Sequence, residues 1–226
     1  MNSAVRPHPT ALLYIDGLNL YRRCLEDHPN LKWLDLQALA ENLLPGHDVI
    51  GVHYFTALLK PGTSPDPRKP TRQQVYLRAI ATLPQVIVHL GKFRIDTRWM
   101  ISHPVSVDPA TGEYRRTQVR KIEEKGSDVS LAVHMLADAY ASRADLYAML
   151  TNDSDQAETL RVLKTEAGCR TGLILPMETA RASKELMKTN PDVISFVTRD
   201  ILRSSQLPDR IADAHGVVSR PPEWTS

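Results

Sequence analysis

Leu146-Tyr147-Ala148-Met149-Leu150 runs without a break into Thr151-Asn152-Asp153-Ser154-Asp155, and this stretch is the strongest indication of the fold class. A short apolar run that ends in carboxylates and small hydroxyl residues, and then opens into helix-forming residues, predicts a strand, an acidic turn and a helix. Carboxylates at the end of a strand are candidate metal ligands. Other acidic residues at the same edge of a sheet would therefore define a metal site.

A second apolar run, residues 11–15, also ends in a carboxylate. Its continuous hydrophobicity is typical of a strand buried on both faces, and Asp16 and Gly17 follow it directly. Gly17 permits a tight turn, after which residues 18–25 are expected to form a helix. Asp16 on its own is explained equally well as a helix N-cap and as a metal ligand. The second acidic strand end favours the ligand.

A third acidic position lies at the start of a predicted helix. Gly126 interrupts the preceding strand, and apolar residues at 131, 132, 135, 136 and 139 form the stripe of a helix that begins at Ser127 or Asp128. Taken alone, Asp128 is well explained as a cap. His134 is expected on the surface of this helix or at the edge of the core.

Strand and helix patterns alternate through the rest of the chain. Further strands are expected at 48–59, 85–94, 169–175 and 193–197, and further helices at 33–44, 71–83, 155–167 and 181–188. This order predicts right-handed crossovers and a mainly parallel sheet covered by helices on both faces. Ligands bind such sheets at the carboxyl ends of the strands, where Asp16 and the acidic turn would meet the start of the Asp128 helix.

Carboxylates that converge without a counterion raise one another's pKa values, and a divalent cation relieves this repulsion. Mg²⁺ or Mn²⁺ is the natural partner, since these ions take oxygen ligands and leave positions for water and phosphate. No zinc set is grouped along the sequence. Cys24 and Cys169 are far apart and expected to be unlinked, and His53 is expected to pack within its strand. The chemistry indicated is hydrolysis of a phosphate ester by a metal-activated water.

Residues 96–121 are expected to form an extended hairpin or flap around a turn signal at 109–112. Basic residues alternate along its second half, and Trp99 and Tyr114 lie among them. The basic residues considered are Arg115, Arg116, Arg120, Lys121 and Lys125. Cations and rings in this pattern suit an RNA or single-strand surface, whereas a solvated hairpin face would have the same sequence. Both interpretations stay open.

Composition places the chain among single-domain α/β proteins. Its 226 residues are 42% hydrophobic and 24% charged, enough for one core, and the formal charge of +2 leaves a polyanionic partner open. Residues 1–10 are expected as a flexible leader, 11–200 as the domain and 201–226 as a polar C-terminal tail. No apolar run approaches the roughly 20 residues of a membrane-spanning helix, and no export signal is found. A cytoplasmic protein without a membrane partner is expected, with a homo-oligomer or a regulatory protein partner left open.

Three motifs occur in residues 14–21, 125–132 and 151–155. They read Tyr-Ile-Asp-Gly-Leu-Asn-Leu-Tyr, Lys-Gly-Ser-Asp-Val-Ser-Leu-Ala and Thr-Asn-Asp-Ser-Asp. In this order they resemble the NYN domain family, a PIN-like group of metal-dependent ribonucleases, over about residues 11–200. The resemblance implies a Rossmann-like, three-layer α/β/α PIN-like fold. It also implies RNA, single-stranded or structured, cut by a metal-bound water to leave a 5′-phosphate and a 3′-hydroxyl.

The resemblance also implies roles for individual residues at the acidic edge. Asp16, Asp128 and Asp153 correspond to ligands of Mg²⁺ or Mn²⁺. Asp155 corresponds to an outer or second-metal ligand, and Asn19 to a residue that positions metal, water or phosphate. These residues are the predicted catalytic set.

Two positions depart from the family's pattern. Many relatives carry a further acidic residue near the position of His134, which bears on metal number and affinity, and often an aromatic residue where this chain has Gln156. Two other functions compete with the nuclease. A haloacid-dehalogenase-like phosphatase also uses an Asp after its first strand, but a second Asp normally follows two residues later, where this chain has Leu18. An RNA-binding or regulatory module with little or no turnover would share every feature above.

Overall fold

Strands and helices alternate along the chain in the computed structural model, which describes residues 8–176 and 182–225. The strands are β1 (Thr10–Asp16), β2 (Asp48–Leu58), β3 (Val86–Ile101), β4 (Arg116–Lys125), β5 (Leu146–Leu150), β6 (Arg170–Leu175), β7 (Val193–Phe196), β8 (Arg210–Asp213) and β9 (Gly216–Ser219). The helices are α1 (Gly17–Leu20), α2 (Leu36–Leu43), α3 (Lys69–Ile80), α4 (Ser127–Tyr140), α5 (Ala157–Thr165), α6 (Lys184–Lys188) and α7 (Arg199–Ser204). Within these ranges, no helix has the length and apolar character needed to cross a membrane.

Seven strands form one sheet in the order β4-β3-β2-β1-β5-β6-β7. All neighbouring pairs are parallel except β3 and β4, which run antiparallel. The two apolar runs at 11–15 and 146–150 are adjacent central strands, and every residue of both runs is buried. Helices pack on both faces, so the prediction of an α/β fold with a mainly parallel sheet is confirmed.

The sheet separates two apolar layers, because successive side chains of a strand point to opposite faces. On one face, Ile15 of β1 packs in a cluster with Trp33 and the leucines of α2. On the other face, Tyr14 packs in a cluster with Met135 of α4. Burial of both faces fixes the register of β1, so Asp16 shares the α4 face with Tyr14.

The region expected as a flap is the outer part of an antiparallel hairpin. β3 was expected to end at residue 94, but it continues to Ile101 and pairs with β4 from Lys92 opposite Lys125 to Ile101 opposite Arg116. The outer residues of β3 are exposed, so they lack the apolar pattern that marks a buried strand in the sequence. Backbone pairing persists along these residues, since a two-stranded ribbon needs only its partner strand.

Two expected helices differ in detail. The helix expected at 18–25 is divided between α1 and a π turn at Tyr21–Leu25. The helix expected at 181–188 is observed from Lys184, and residue 181 lies outside the described residues. Residues 1–7 of the expected leader also lie outside them.

The expectation of a polar tail at 201–226 is corrected by the structure, which describes this segment as far as residue 225. α7 leads into the β8–β9 hairpin, and Val218 and Trp224 are buried in the larger core cluster. The ring centroids of Trp224 and Trp33 are 6.1 Å apart, and Arg78 of α3 pairs with Asp213 at 2.6 Å. A few large apolar side chains anchor a segment whose composition is mostly polar.

Candidate functional site

Asp16 is held at the end of β1 by two hydrogen bonds. Its Oδ1 accepts from the backbone N–H of Asn19 at 2.9 Å, and its Oδ2 accepts from Oγ1 of Thr151 at 2.9 Å. Asp16 is therefore both the cap of α1 and a partner of the turn after β5. The turn at Gly17 admits no side chain, since a Cβ there would lie 2.6 Å from the carbonyl oxygen of Phe55.

The acidic turn after β5 is organised by Thr151. The Oγ1 of Thr151 donates to Asp16 and accepts from the backbone N–H of Asp153 at 3.1 Å. Oδ1 of Asp153 in turn accepts from the N–H of Asp155 at 3.2 Å. Oδ1 of Asn19 accepts a hydrogen bond of 3.3 Å from the backbone N–H of Asn152. The structure thus brings Asp16, Asn19 and Asp153 together, and leaves Asp155 exposed on the outer side of the turn.

Asp128 lies in the first turn of α4, after Gly126 in the left-handed conformation with φ of 99°. Its carbonyl oxygen accepts a hydrogen bond from Nε2 of Gln156 at 3.1 Å, and Oε1 of Gln156 accepts from Oγ1 of Thr159 at 3.1 Å. Gln156 is buried. Gln156 is thus a buried amide that connects the start of α4 to α5.

The carboxyl of Asp16 has a raised pKa. Burial is the largest cause, and repulsion from Asp153 and Glu124 adds to it, while the hydrogen bonds from Asn19 and Thr151 lower the pKa. The net effect favours the protonated carboxyl. Charge at this position therefore calls for a compensating cation.

The pKa of Asp128 is raised from 3.8 to about 6. The residue as a whole is exposed, but partial burial of its carboxyl is the largest cause, followed by repulsion from four neighbouring carboxylates. These are Asp16, Asp153, Glu124 and Asp155, in decreasing order of effect. The acidic residues predicted from separate motifs therefore act on one another at one edge of the sheet.

Glu124, near the end of β4, belongs to the same edge and was missed in the sequence. Its Oε1 accepts from the backbone N–H of Ser127 at 3.1 Å and from its Oγ at 2.7 Å. Gly91 of β3 leaves room for this carboxylate, since a Cβ at Gly91 would lie 2.5 Å from Oε1 of Glu124. In the sequence, Glu124 could have been recognised as a carboxylate three residues before the first residue of a helix. It lies in a run of charged residues, however, and such a run is typical of a solvent-exposed surface.

The donors at the acidic edge, defined as Asp16, Glu124, Asp128, Asp153 and Asp155, are all carboxylate oxygens, which suits Mg²⁺ or Mn²⁺. The arrangement is open. In the described part of the chain, the only three acidic, histidine or cysteine side chains whose ligand atoms all lie within 4.8 Å of one another are histidines. An ion that retains several water ligands, as Mg²⁺ does, fits such an open set of carboxylates.

One face of the β3–β4 hairpin carries ion pairs between its own side chains. Directly opposed residues of an antiparallel pair share a face, and this face carries Arg94, Asp96, Lys121, Glu123 and Lys125. Lys121 and Lys125 both pair with Glu123, the latter at 3.3 Å, and Arg94 pairs with Asp96 at 2.6 Å. Two of the five basic residues predicted to contact RNA are therefore already paired.

The other hairpin face carries Trp99, Arg116 and Arg120 and continues to Glu124 at the acidic edge. Trp99 is 61% exposed, and both arginines are exposed. Among the described residues, neither arginine has a carboxylate within ion-pair distance, and the guanidinium of Arg120 lies beside Gly62 of the loop after β2. Arg115 precedes β4 and is also exposed. This face is therefore cationic and aromatic.

A second group of titratable side chains lies between α4 and the sheet. His53 of β2, His89 of β3 and His134 of α4 bring one ring nitrogen each within 4.8 Å of one another. Burial is the largest cause that lowers the pKa of His53, and it also lowers the pKa of His89 to about 4. The sequence did not group these residues, because they lie on three separate elements and converge only through the sheet register.

Fold and site together define an α/β protein with a carboxylate cluster at the C-terminal edge of its central strands, the arrangement of a PIN-like nuclease. The model of the NYN domain matches residues 10–198, and the chain belongs to the NYN domain family. This is a PIN-like nuclease family, so membership supports a nuclease role. The resemblance drawn from the three motifs is confirmed.

Two individual proteins are similar to this chain. It is 29% identical over 238 residues to 6-hydroxy-3-succinoylpyridine 3-monooxygenase HspA of Pseudomonas putida, an alignment that covers 94% of this chain and 74% of that protein. Among solved structures, a protein of unknown function from Vibrio parahaemolyticus superposes with a TM-score of 0.48 at 14% identity. That match covers 86% of this chain and 96% of the other.

Proposed function

We propose that this protein is a ribonuclease that uses Mg²⁺ or Mn²⁺ at the acidic edge. The observation that carries the proposal is the electrostatic coupling of Asp16, Asp128 and Asp153, three carboxylates from three separate motifs. Burial is the largest cause that raises the pKa of both Asp16 and Asp128, and repulsion from Asp153 and Glu124 raises each of them further. A bound divalent cation would stabilise the ionised carboxylates that burial and repulsion disfavour. The acidic edge is therefore suited to bind such an ion.

Each residue of the edge has a separate task in this proposal. Asp16, Asp128 and Asp153 would hold the ion, which supplies an activated water and stabilises charge on the phosphodiester. Thr151 fixes Asp16 by donating to Oδ2 and so keeps Oδ1 towards α1. The backbone N–H of Asn19 donates to Asp16, and its side-chain Oδ1 accepts from the backbone N–H of Asn152. Its side-chain Nδ2 has no protein acceptor among the described residues. That amide is the donor suited to a phosphate oxygen.

The cationic and aromatic face of the hairpin would bind the RNA strand. Arg116 and Arg120 suit phosphates because no carboxylate neutralises them within the described chain, and exposed Trp99 suits stacking on a base. This face leads along β4 to Glu124, which interacts electrostatically with Asp16 and Asp128. A strand lying on it would be directed to the acidic edge.

The test is incubation of the purified protein with single-stranded RNA and Mn²⁺. We expect cleavage that is lost in both Asp16→Asn and Asp153→Asn. Asp200→Asn is the matched control, since Asp200 is an exposed aspartate on α7 that, among the described residues, pairs only with Arg203 of the same helix. RNA retention without cleavage in any divalent metal would instead identify an RNA-binding module with little or no turnover.

A second candidate function is suggested by one relative together with one cleft. The relative aligned over 94% of this chain is named a monooxygenase for 6-hydroxy-3-succinoylpyridine. A cleft of about 380 Å³ lies at the other end of α4, lined by His53, Asp138 and Arg143 together with apolar residues such as Ile87. Its size is in the range of small-molecule sites, and Arg143 could meet an acidic substituent.

The two functions are separated by supplying 6-hydroxy-3-succinoylpyridine, oxygen and a reductant, with mass spectrometry of the products. Hydroxylation that persists in Asp16→Asn and is lost in Arg143→Ala would favour the oxygenase. An unchanged substrate alongside Mn²⁺-dependent RNA cleavage would leave the ribonuclease as the function.

A further inference from the structure

We propose that His53, His89 and His134, here called the histidine cluster, bind one divalent transition-metal ion of the zinc class. This goes beyond the proposed ribonuclease, because the cluster shares no ligand with the acidic edge. It also goes beyond the second candidate function, because that function assigns no metal ion to His53, which lines its cleft. The three side chains come from β2, β3 and α4, and one ring nitrogen from each lies within 4.8 Å of the others. Three imidazoles that converge in this way leave a fourth position open, as in three-histidine zinc sites.

The spacing of the nitrogens is close to that of a filled site. Nδ1 of His53 and Nε2 of His89 are 3.0 Å apart, and the ring centroids of His89 and His134 are 4.2 Å apart. A tetrahedral zinc ion with Zn–N bonds of about 2.0–2.1 Å holds its nitrogens roughly 3.4 Å from one another. The nitrogens of His53 and His89 are therefore within about 0.4 Å of the separation in a filled zinc site.

A buried carboxylate lies beside the second ring nitrogen of His53, at a distance longer than a hydrogen bond. Nε2 of His53 faces Oδ2 of Asp138 at 3.7 Å, which leaves Nδ1 directed to His89. Asp138 is 4% exposed and is itself fixed, since it accepts from the hydroxyl of Tyr14 at 2.7 Å and pairs with Arg143 at 2.9 Å. A carboxylate on the second ring nitrogen fixes the tautomer of a metal-binding histidine.

The rings themselves are held in place by stacking. His53 stacks on Tyr14 with centroids 4.9 Å apart, and His89 stacks on Phe55 at 4.4 Å with only 8° between the planes. Two of the three ligands are thus preorganised before any ion binds. His134 is accessible to solvent, and His53 also lines the cleft beside Arg143, so an ion has a path to the cluster.

The donor type separates this site from the acidic edge. Imidazole nitrogens prefer Zn²⁺, Co²⁺, Ni²⁺, Cu²⁺ or Fe²⁺, whereas carboxylate oxygens with water suit Mg²⁺ and Mn²⁺. The two sites should therefore be distinguishable by ion. Metal binding at the histidines does not depend on whether the acidic edge cuts RNA.

The experiment is a titration of the chelator-treated full chain with Zn²⁺ by calorimetry and with Co²⁺ by visible d–d absorption. We expect one equivalent of Zn²⁺ and an affinity that falls at least about tenfold in His89→Ala and in His134→Ala. His215→Ala is the matched control, because His215 is an exposed histidine between β8 and β9. Both His215→Ala and Asp16→Asn should bind Zn²⁺ as the wild type does.

Circular dichroism without metal checks the fold of each variant. If His89→Ala does not fold, His134→Ala decides the question, since its side chain is accessible to solvent on the longest helix. Zn²⁺ binding that is unchanged in His134→Ala would overturn the proposal. So would binding that is lost in Asp16→Asn, which would assign the ion to the carboxylates, and so would a wild-type chain that takes up no Zn²⁺.

Discussion

The acidic edge and the histidine cluster lie on the same α4 face of the sheet, but they are built in different ways. Asp16 is the last residue of β1, Asp153 lies in the turn after β5, and Asp128 lies in the first turn of α4. Each of them is therefore placed where the backbone changes direction. His53 and His89 lie within strands and meet because β2 and β3 are in a particular register. A site at strand ends follows from topology, whereas a site within strands depends on register as well.

The sharpest way to break this comparison is to remove one site and measure both. Asp16→Asn should reduce Mn²⁺-dependent RNA cleavage at least about 100-fold, the order found when one group that stabilises charge in a transition state is removed. The same variant should retain Zn²⁺ affinity. His134→Ala should show the reverse pattern, with cleavage rates in Mn²⁺ unchanged within a factor of two or so. Loss of both properties in either variant would show that the sites are one unit.

Gln156→Ala tests whether the buried amide supports the acidic edge. The variant leaves the carbonyl of Asp128 and the hydroxyl of Thr159 without their partner, which should cost about 1–3 kcal/mol in the free energy of unfolding. Urea denaturation measures it. Gln37→Ala is the control, since in the described part of the chain the side-chain amide of Gln37 bonds only to exposed Glu41. This variant should change stability by less than about 0.5 kcal/mol. Equal effects in the two variants would contradict the supporting role.

The hairpin offers a matched pair of double variants on its two faces. Arg116→Ala with Arg120→Ala removes two cations that no carboxylate neutralises in the described chain, and should reduce the salt slope of RNA binding by roughly 1.4. Lys121→Ala with Lys125→Ala removes cations already paired with Glu123, so its slope should change much less. Fluorescence anisotropy at several salt concentrations gives both slopes. Identical salt slopes in the two double variants would show that the two faces of the hairpin contribute equally to RNA binding.

The smallest expected effect is the pH dependence of stability in chelator. Because the pKa of Asp128 is raised from 3.8 to about 6, its protonated form stabilises the fold. That stabilisation is complete below about pH 3.8 and is lost as the pH rises through about 6. Asp128→Asn should therefore match the wild type at low pH and have the higher Tm above pH 6. A difference in Tm that does not change with pH would contradict the raised pKa.

The sequence predicted a mainly parallel sheet and an acidic edge because local features mark them. Apolar runs end at Asp16 and before Asp153, and Gly17 and Gly126 mark the turns beside Asp16 and Asp128. Glu124 was missed because its role depends on the space left by Gly91 in the adjacent strand. The histidine cluster was missed for a similar reason, since only the pairing of β2 with β3 under α4 brings its members together.

The C-terminal segment shows the same limit on a larger scale. Its composition is mostly polar, and the apolar residues that decide its fate are few and widely spaced. Val218 and Trp224 are buried against Trp33, a residue near the other end of the chain. Contacts between distant parts of a chain have no local pattern, so a segment that packs through them resembles a tail in the sequence.

Anomalous diffraction from crystals soaked in Mn²⁺ and, separately, in Zn²⁺ tests the central claim most directly. We expect a Mn²⁺ peak between the carboxylates of Asp16, Asp128 and Asp153, and a Zn²⁺ peak among the rings of the histidine cluster. A Mn²⁺ peak at the histidines, or crystals with no Mn²⁺ peak at the acidic edge, would contradict it.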